Sequence, residues 1–207
     1  MRRPGSGARR PILGAPRRQG PAGMVIDGAG LLRGARLVAS PNCDDRPPGT
    51  EITLLVIHSI SLPPGEFGGE GVVRLFTNTL DWAAHPFYAT LRGLRVSAHF
   101  LVRRNGAIIQ FVPCGRRAWH AGQSSWRGRA SCNDFSIGVE LEGVDTRPYT
   151  ERQYARLATL VAALRRRYPI TEIVGHSDIA PGRKTDPGPA FDWARLGPRA
   201  RRVRHAG

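Results

Sequence analysis

Apolar positions along this chain fall into a few short patterns, and each predicts an element. Residues 51–60, EITLLVIHSI, are an almost unbroken apolar run of strand length, rich in β-branched side chains. Such a run marks a strand covered on both faces. A Pro/Gly-rich loop follows, SLPPGEFGGEG, and GVVRLFTNTL at 71–80 then reads as the start of a helix. Residues 97–113, SAHFLVRRNGAIIQFVP, are two strand-like runs around Asn105-Gly106, a strong short-range hairpin signal. SIGVELEG, 136–143, alternates as a further strand. Between 149 and 169 the apolar stripe Tyr154, Leu157, Leu160, Val161 and Leu164 has helical spacing, with Thr150 and Gln153 placed as a capping box and Pro169 as a stop. TEIVGH, 171–176, reads as a short strand. Together these predict one α/β domain, a central mixed β-sheet flanked by helices.

Length and charge refine that picture. A chain of 207 residues suits a single core better than two, and no apolar run approaches the roughly 20 residues that span a bilayer. The formal charge is +15, which suggests nucleic acid until its distribution is seen. Six arginines in residues 1–23 and four in 199–207 carry ten of those charges, leaving about +5 on the body, an ordinary value for a soluble domain. Residues 1–23 are therefore expected to be a disordered Arg/Pro/Gly-rich extension, with Met24 as a candidate true start. The folded domain is expected over 24–196, followed by a basic tail at 197–207. The N-terminal arginines are not followed by the apolar segment of a signal peptide, so a cytoplasmic location is expected. Three cysteines, Cys43, Cys114 and Cys132, form no C-x-x-C pair and are expected as reduced thiols.

Candidate chemistry gathers at the ends of two strand-like runs. His58 closes LLVIH and His176 closes EIVGH, while Asp186 lies ten residues beyond in a loop rich in Pro and Gly. Two histidines and a carboxylate can form a catalytic zinc site. They can equally be core histidines and a turn aspartate, because ligands far apart in sequence have no fixed spacing. Glu140 and Glu142, two apart on a strand, share one face, either as a solvated pair or with one as a general base. Trp119 in RAWHAG could line a cleft or simply pack. Lys184 is the chain's single lysine beside thirty arginines. A compact ammonium does what a planar guanidinium does not, although codon bias alone could also leave one lysine.

Five segments in order, VIHSISLPPGEFGG, LRVSAHFLVRRNG, RAWHAG, CNDFSIGVELEG and GHSDIAPGRKTDPGPAFDW, resemble the zinc N-acetylmuramoyl-L-alanine amidases. That wide family includes phage lysozymes of the amidase type and the peptidoglycan recognition proteins. The resemblance runs from about Leu31 to Leu196 and is nearest to the cytoplasmic branch that recycles anhydromuropeptides. It implies hydrolysis of the amide between 1,6-anhydro-N-acetylmuramic acid and L-alanine, with zinc held by His58, His176 and Asp186. Glu140 is implied as acid/base and Lys184 as the cation stabilising the transition state. Arg95, His99 and Trp119 are implied to line the substrate cleft, and His120 matches a position whose role is as readily structural. Implied partners are a small muropeptide substrate, with no specific nucleic acid, no membrane and a monomeric state. Loss of the metal would instead leave a non-catalytic peptidoglycan-binding module. Ser59 and Ser131 depart from the family pattern, which has Asn and Arg there. The second departure bears on how the far end of the peptide is gripped.

Overall fold

A computed structural model describes residues 23–197; the two Arg-rich tails fall outside the described residues except for Gly23 and Gly197. Six strands form one sheet: β1 (Arg36–Leu37), β2 (Leu54–Ile60), β3 (Phe100–Val102), β4 (Ile108–Gln110), β5 (Ser136–Glu142) and β6 (Glu172–Gly175). Their order is β1-β4-β3-β5-β2-β6. The β3–β4 hairpin expected around Asn105-Gly106 is the antiparallel pair, and every other pairing is parallel.

The apolar run of β2 and the alternation of β5 set the two faces of this sheet. Leu55 and Ile57 of β2, with Ile137, Val139 and Leu141 of β5, point into one core. There they meet Tyr154, Leu157, Leu160, Val161 and Leu164 of helix α2 (Glu151–Arg167). Helix α1 is Gly71–Phe76, and helix α3 is the single turn His176–Ile179. The predicted capping box of α2 is present: Thr150 Oγ1 accepts from Gln153 N at 3.1 Å, and Gln153 Oε1 accepts from Thr150 N at 3.0 Å. The opposite face packs Leu54, Val56 and Val174 against Ala121, Phe135 and Ile179, and Leu101 and Ile109 against Val72, Leu75 and Phe76 of α1.

Register then places chemistry on that second face. His58 of β2 lies opposite Glu140 of β5, and β5 turns Ser136, Gly138, Glu140 and Glu142 the same way, since successive side chains alternate. One sequence expectation is met with its end now fixed, one is corrected, and some short elements are new. Helix α1 has six residues, because Thr77 bonds back to Val73 O at 2.9 Å and Asn78 takes a left-handed φ of 60°. His176 does not end β6 but opens α3, where Asp178 Oδ2 accepts from Gly175 N at 2.7 Å and turns the chain at once. Finally, β1 and two small ladders, Cys43–Asp44 with Arg117–Ala118 and Ser125–Trp126 with Arg129–Ala130, have no counterpart in the sequence reading. Strands of two residues are too short to show a period.

Candidate active site

His58, His176 and Asp186 converge although 128 residues separate the first from the last. His58 Nδ1 is 3.0 Å from His176 Nδ1, and each lies 3.2 Å from Asp186 Oδ2. The Asp186 loop is held from several sides. Tyr149 Oη donates to Pro187 O at 2.8 Å, Ser177 N donates to Asp186 O at 3.0 Å, and the Thr185 hydroxyl donates to Asp145. Gly188, at φ 79°, passes so close that a Cβ there would sit 2.4 Å from Asp145, so the loop needs glycine at that point.

The outer nitrogens of both imidazoles are committed elsewhere. His176 Nε2 lies 3.1 Å from Ala121 O, which can only accept, so Nε2 carries the hydrogen of a neutral ring and leaves its Nδ1 bare. His58 Nε2 lies 2.9 Å from His120 Nδ1. Burial foremost brings the His58 pKa down to about 4, with the nearby Asp186 carboxylate opposing that shift. For Asp186, burial alone would push the carboxyl up, yet the imidazoles of His176 and His58 hold it well below the usual carboxylate range. Neutral imidazoles and an ionised carboxylate are the states in which all three atoms offer lone pairs. Among the described residues this is the cluster that could hold a metal ion. Three lone pairs facing one another within hydrogen-bond distance repel unless a cation lies among them, so the donor set fits one.

The paired carboxylates separate into two roles. Glu142 accepts from Gly68 N at 2.7 Å, Arg104 N at 3.1 Å and Arg103 Nη1 at 3.3 Å, pinning the Pro/Gly loop that follows β2. Glu140 is as deeply buried, but its Oε2 has no hydrogen-bond partner among the described residues. Burial foremost, then the charge of Asp186, raises the Glu140 pKa well above the ordinary value, while the Lys184 charge works against the rise. A desolvated carboxylate with no partner, beside a metal-ligand set, is an arrangement suited to proton transfer. Lys184 is exposed on the lip of the same cleft, where its charge acts on Glu140 and His58 alike.

These groups open on a cleft of about 770 Å³. Arg95 and Trp119 line it, together with an apolar wall that includes Leu62, Pro64, Phe87, Leu91 and Leu94. His99 does not line it, contrary to the sequence expectation. Its side chain is fully buried, Nδ1 accepts from Gly138 N at 3.0 Å, and Nε2 faces Arg116 O at 3.0 Å and Arg46 at 3.2 Å. Burial foremost, reinforced by the Arg46 charge, pulls its pKa down to about 3. His99 therefore ties β5 to the chain entering β3 and to the turn at Arg116. Sequence reasoning missed Tyr149, Asn133 and Ser136, since a hydroxyl or amide on a core strand or turn has no motif of its own.

Against this geometry, the family model of the N-acetylmuramoyl-L-alanine amidases matches residues 48–189. The chain belongs to the N-acetylmuramoyl-L-alanine amidase family. The matched span takes in His58, Glu140, His176, Lys184 and Asp186. The 1,6-anhydro-N-acetylmuramyl-L-alanine amidase AmpD of Escherichia coli is 60% identical over 169 residues, covering 81% of this chain and 92% of the relative. The crystal structure of a selenomethionine AmpD derivative superposes with a TM-score of 0.83 at 56% identity, covering 86% of this chain and all of that one. The E. coli amidase AmiD, in complex with anhydro-N-acetylmuramic acid-L-Ala-D-γ-Glu-L-Lys, gives a TM-score of 0.52 at 33% identity over 86% of this chain and 65% of its own. This family member is an enzyme, an amidase, and its fold is the mixed α/β fold of type 2 amidases. Among its described residues no helix is long and apolar enough to cross a membrane.

Proposed function

We propose that this amidase uses zinc held by His58, His176 and Asp186 to hydrolyse the amide between 1,6-anhydro-N-acetylmuramic acid and L-alanine in recycled muropeptides. The observation that carries the metal is the trio of lone pairs 3.0–3.2 Å apart, with the hydrogen of the His176 imidazole directed away from them. Two imidazole nitrogens and one carboxylate are the donors of a catalytic zinc site with a position left for water. When bound, zinc supplies a water of lowered pKa and polarises the scissile carbonyl.

The chain's own residues do the rest. Glu140, unpartnered at Oε2, in its carboxylate form takes the proton of the attacking water and returns it to the departing alanine nitrogen. Lys184 presents an ammonium to the oxygen that becomes negative as the carbonyl is attacked. A positioned charge in that role stabilises the transition state, most strongly once bound substrate excludes water. Arg95 and Trp119 hold the sugar and peptide along the cleft walls. A metal-free binding module would leave no reason for a buried carboxylate kept without a partner. Three free thiols, Cys43, Cys114 and Cys132, suit a reducing, cytoplasmic compartment. Every residue of the site comes from one chain, so a monomer suffices.

The test is product analysis by mass spectrometry, offering zinc-loaded protein an anhydromuramyl-tripeptide beside its counterpart with an ordinary muramic acid. Free tripeptide released from the anhydro compound supports the assignment. An anhydro substrate left intact while the other is cleaved would reassign this chain to wall-degrading amidases.

A further inference from the structure

The first ligand, His58, differs from His176 in what holds its outer nitrogen. Behind His176 is a backbone carbonyl, which fixes the imidazole tautomer outright. Behind His58 is a second imidazole, and an imidazole can donate or accept. The question passes along a chain of contacts. His120 Nε2 lies 3.2 Å from Ser136 Oγ, and Ser136 Oγ donates to Cys132 O at 2.5 Å. The serine hydrogen is thereby committed, so Ser136 Oγ accepts from His120 Nε2. His120 Nδ1 is then bare and accepts from His58 Nε2, which leaves His58 Nδ1 bare towards His176 and Asp186. One carbonyl, three hydrogen bonds away, sets which face of His58 can bind a cation.

The surroundings are built to keep this relay in place. Gly138 of β5 leaves room for the His120 ring, since a Cβ there would lie 2.4 Å from His120 Cγ. Asn133 Oδ1 accepts from both His120 N at 3.1 Å and Ala121 N at 2.8 Å. A two-residue segment, His120–Ala121, therefore orients both ligand histidines, one through its side chain and the other through its carbonyl.

We propose that His120 and Ser136 are positioning residues that fix the tautomer of His58 for metal binding. This rests on the reading of His58, His176 and Asp186 as zinc ligands. Loss of an outer-shell partner of this kind lowers metal affinity about ten- to a hundredfold. The experiment measures zinc affinity by competition with a chromophoric chelator in wild type, His120→Leu, His120→Asn and Ser136→Ala, with Tm recorded for each. It also reads the His58 ring nitrogens of the metal-free protein by long-range ¹H–¹⁵N NMR. Asn can place Oδ1 where His120 has Nδ1, so His120→Asn should stay within a fewfold of wild type. His120→Leu should bind zinc ten- to a hundredfold more weakly, and Ser136→Ala should fall between the two. In wild type the His58 hydrogen should be on Nε2, and in His120→Leu the ring should become a tautomer mixture. Wild-type affinity in His120→Leu, or equal losses in His120→Leu and His120→Asn, would overturn the positioning role while leaving the ligand set standing. If His120→Leu does not fold, Ser136→Ala with unchanged affinity and an unchanged His58 tautomer would overturn it instead. Wild type that takes up no zinc would overturn the ligand set, and a His58 hydrogen found on Nδ1 would overturn the relay itself.

Discussion

Among single residues, Glu140 and Lys184 bear most directly on turnover. Glu140→Gln keeps the shape and loses the base, so turnover should fall by about 10²–10⁴ while zinc content is unchanged. The same substitution has a pH signature in metal-free protein. The folded pKa of Glu140 is raised by burial and Asp186, so its protonated form favours the fold below the unfolded value of about 4.3. That contribution is lost as pH rises through the folded pKa. Metal-free Glu140→Gln should therefore melt above metal-free wild type at pH 8, with the gap closing by pH 4. A constant gap across that range would mean that Glu140 is not desolvated as described. Lys184→Arg should leave fold and zinc intact and reduce kcat by roughly two orders of magnitude, because a planar guanidinium on a longer stem does not place one charge at one oxygen. Near-normal kcat in this variant would remove Lys184 from the mechanism. The lone lysine was visible in the sequence. Its neighbours in space, Glu140 and His58, were joined to it there only by family resemblance.

At the scale of elements, β5 carries much of the design. Its odd positions, Ile137, Val139 and Leu141, bind the sheet to α2, and its even positions supply the relay serine, the gap for His120, the candidate base and the loop clamp. Gly138→Ala would drive a methyl into the His120 ring. Overpacking of this kind costs about 1–3 kcal/mol, and here the ring that yields is the one behind His58. We expect both Tm and zinc affinity to drop, whereas Leu160→Ala on α2 should lower stability by about 2–5 kcal/mol and spare zinc affinity. Equal losses of zinc affinity in both variants, measured by calorimetry, would deny β5 its special place. The long elements were legible because their periods are strong: the run of β2, the alternation of β5, and the stripe and capping box of α2. The short strands and the single turn of α3 were not, since pairing and local side-chain bonds such as Asp178 to Gly175 create them. His99 illustrates the same limit, because whether a histidine faces a cleft or a neighbouring amide depends on which way its strand edge turns.

Across the whole molecule, the parallel strands β2, β5 and β6 run the same way, and the segments beyond their C-terminal ends line one cleft. The residues that line the cleft all lie within the described span, 23–197. Protein trimmed to residues 24–196 should keep full kcat/KM and lose only salt-sensitive retention on immobilised DNA; loss of activity on trimming would place part of the site in the tails. On the proposed function, His58, His176 and Asp186 hold the zinc on which hydrolysis depends. The most direct measurement follows tripeptide release from anhydromuramyl-tripeptide by mass spectrometry as the protein is stripped by a chelator and then titrated with zinc. Release should cease on stripping and return in proportion to zinc up to one ion per chain. Release that continues in stripped, metal-free protein would contradict the account.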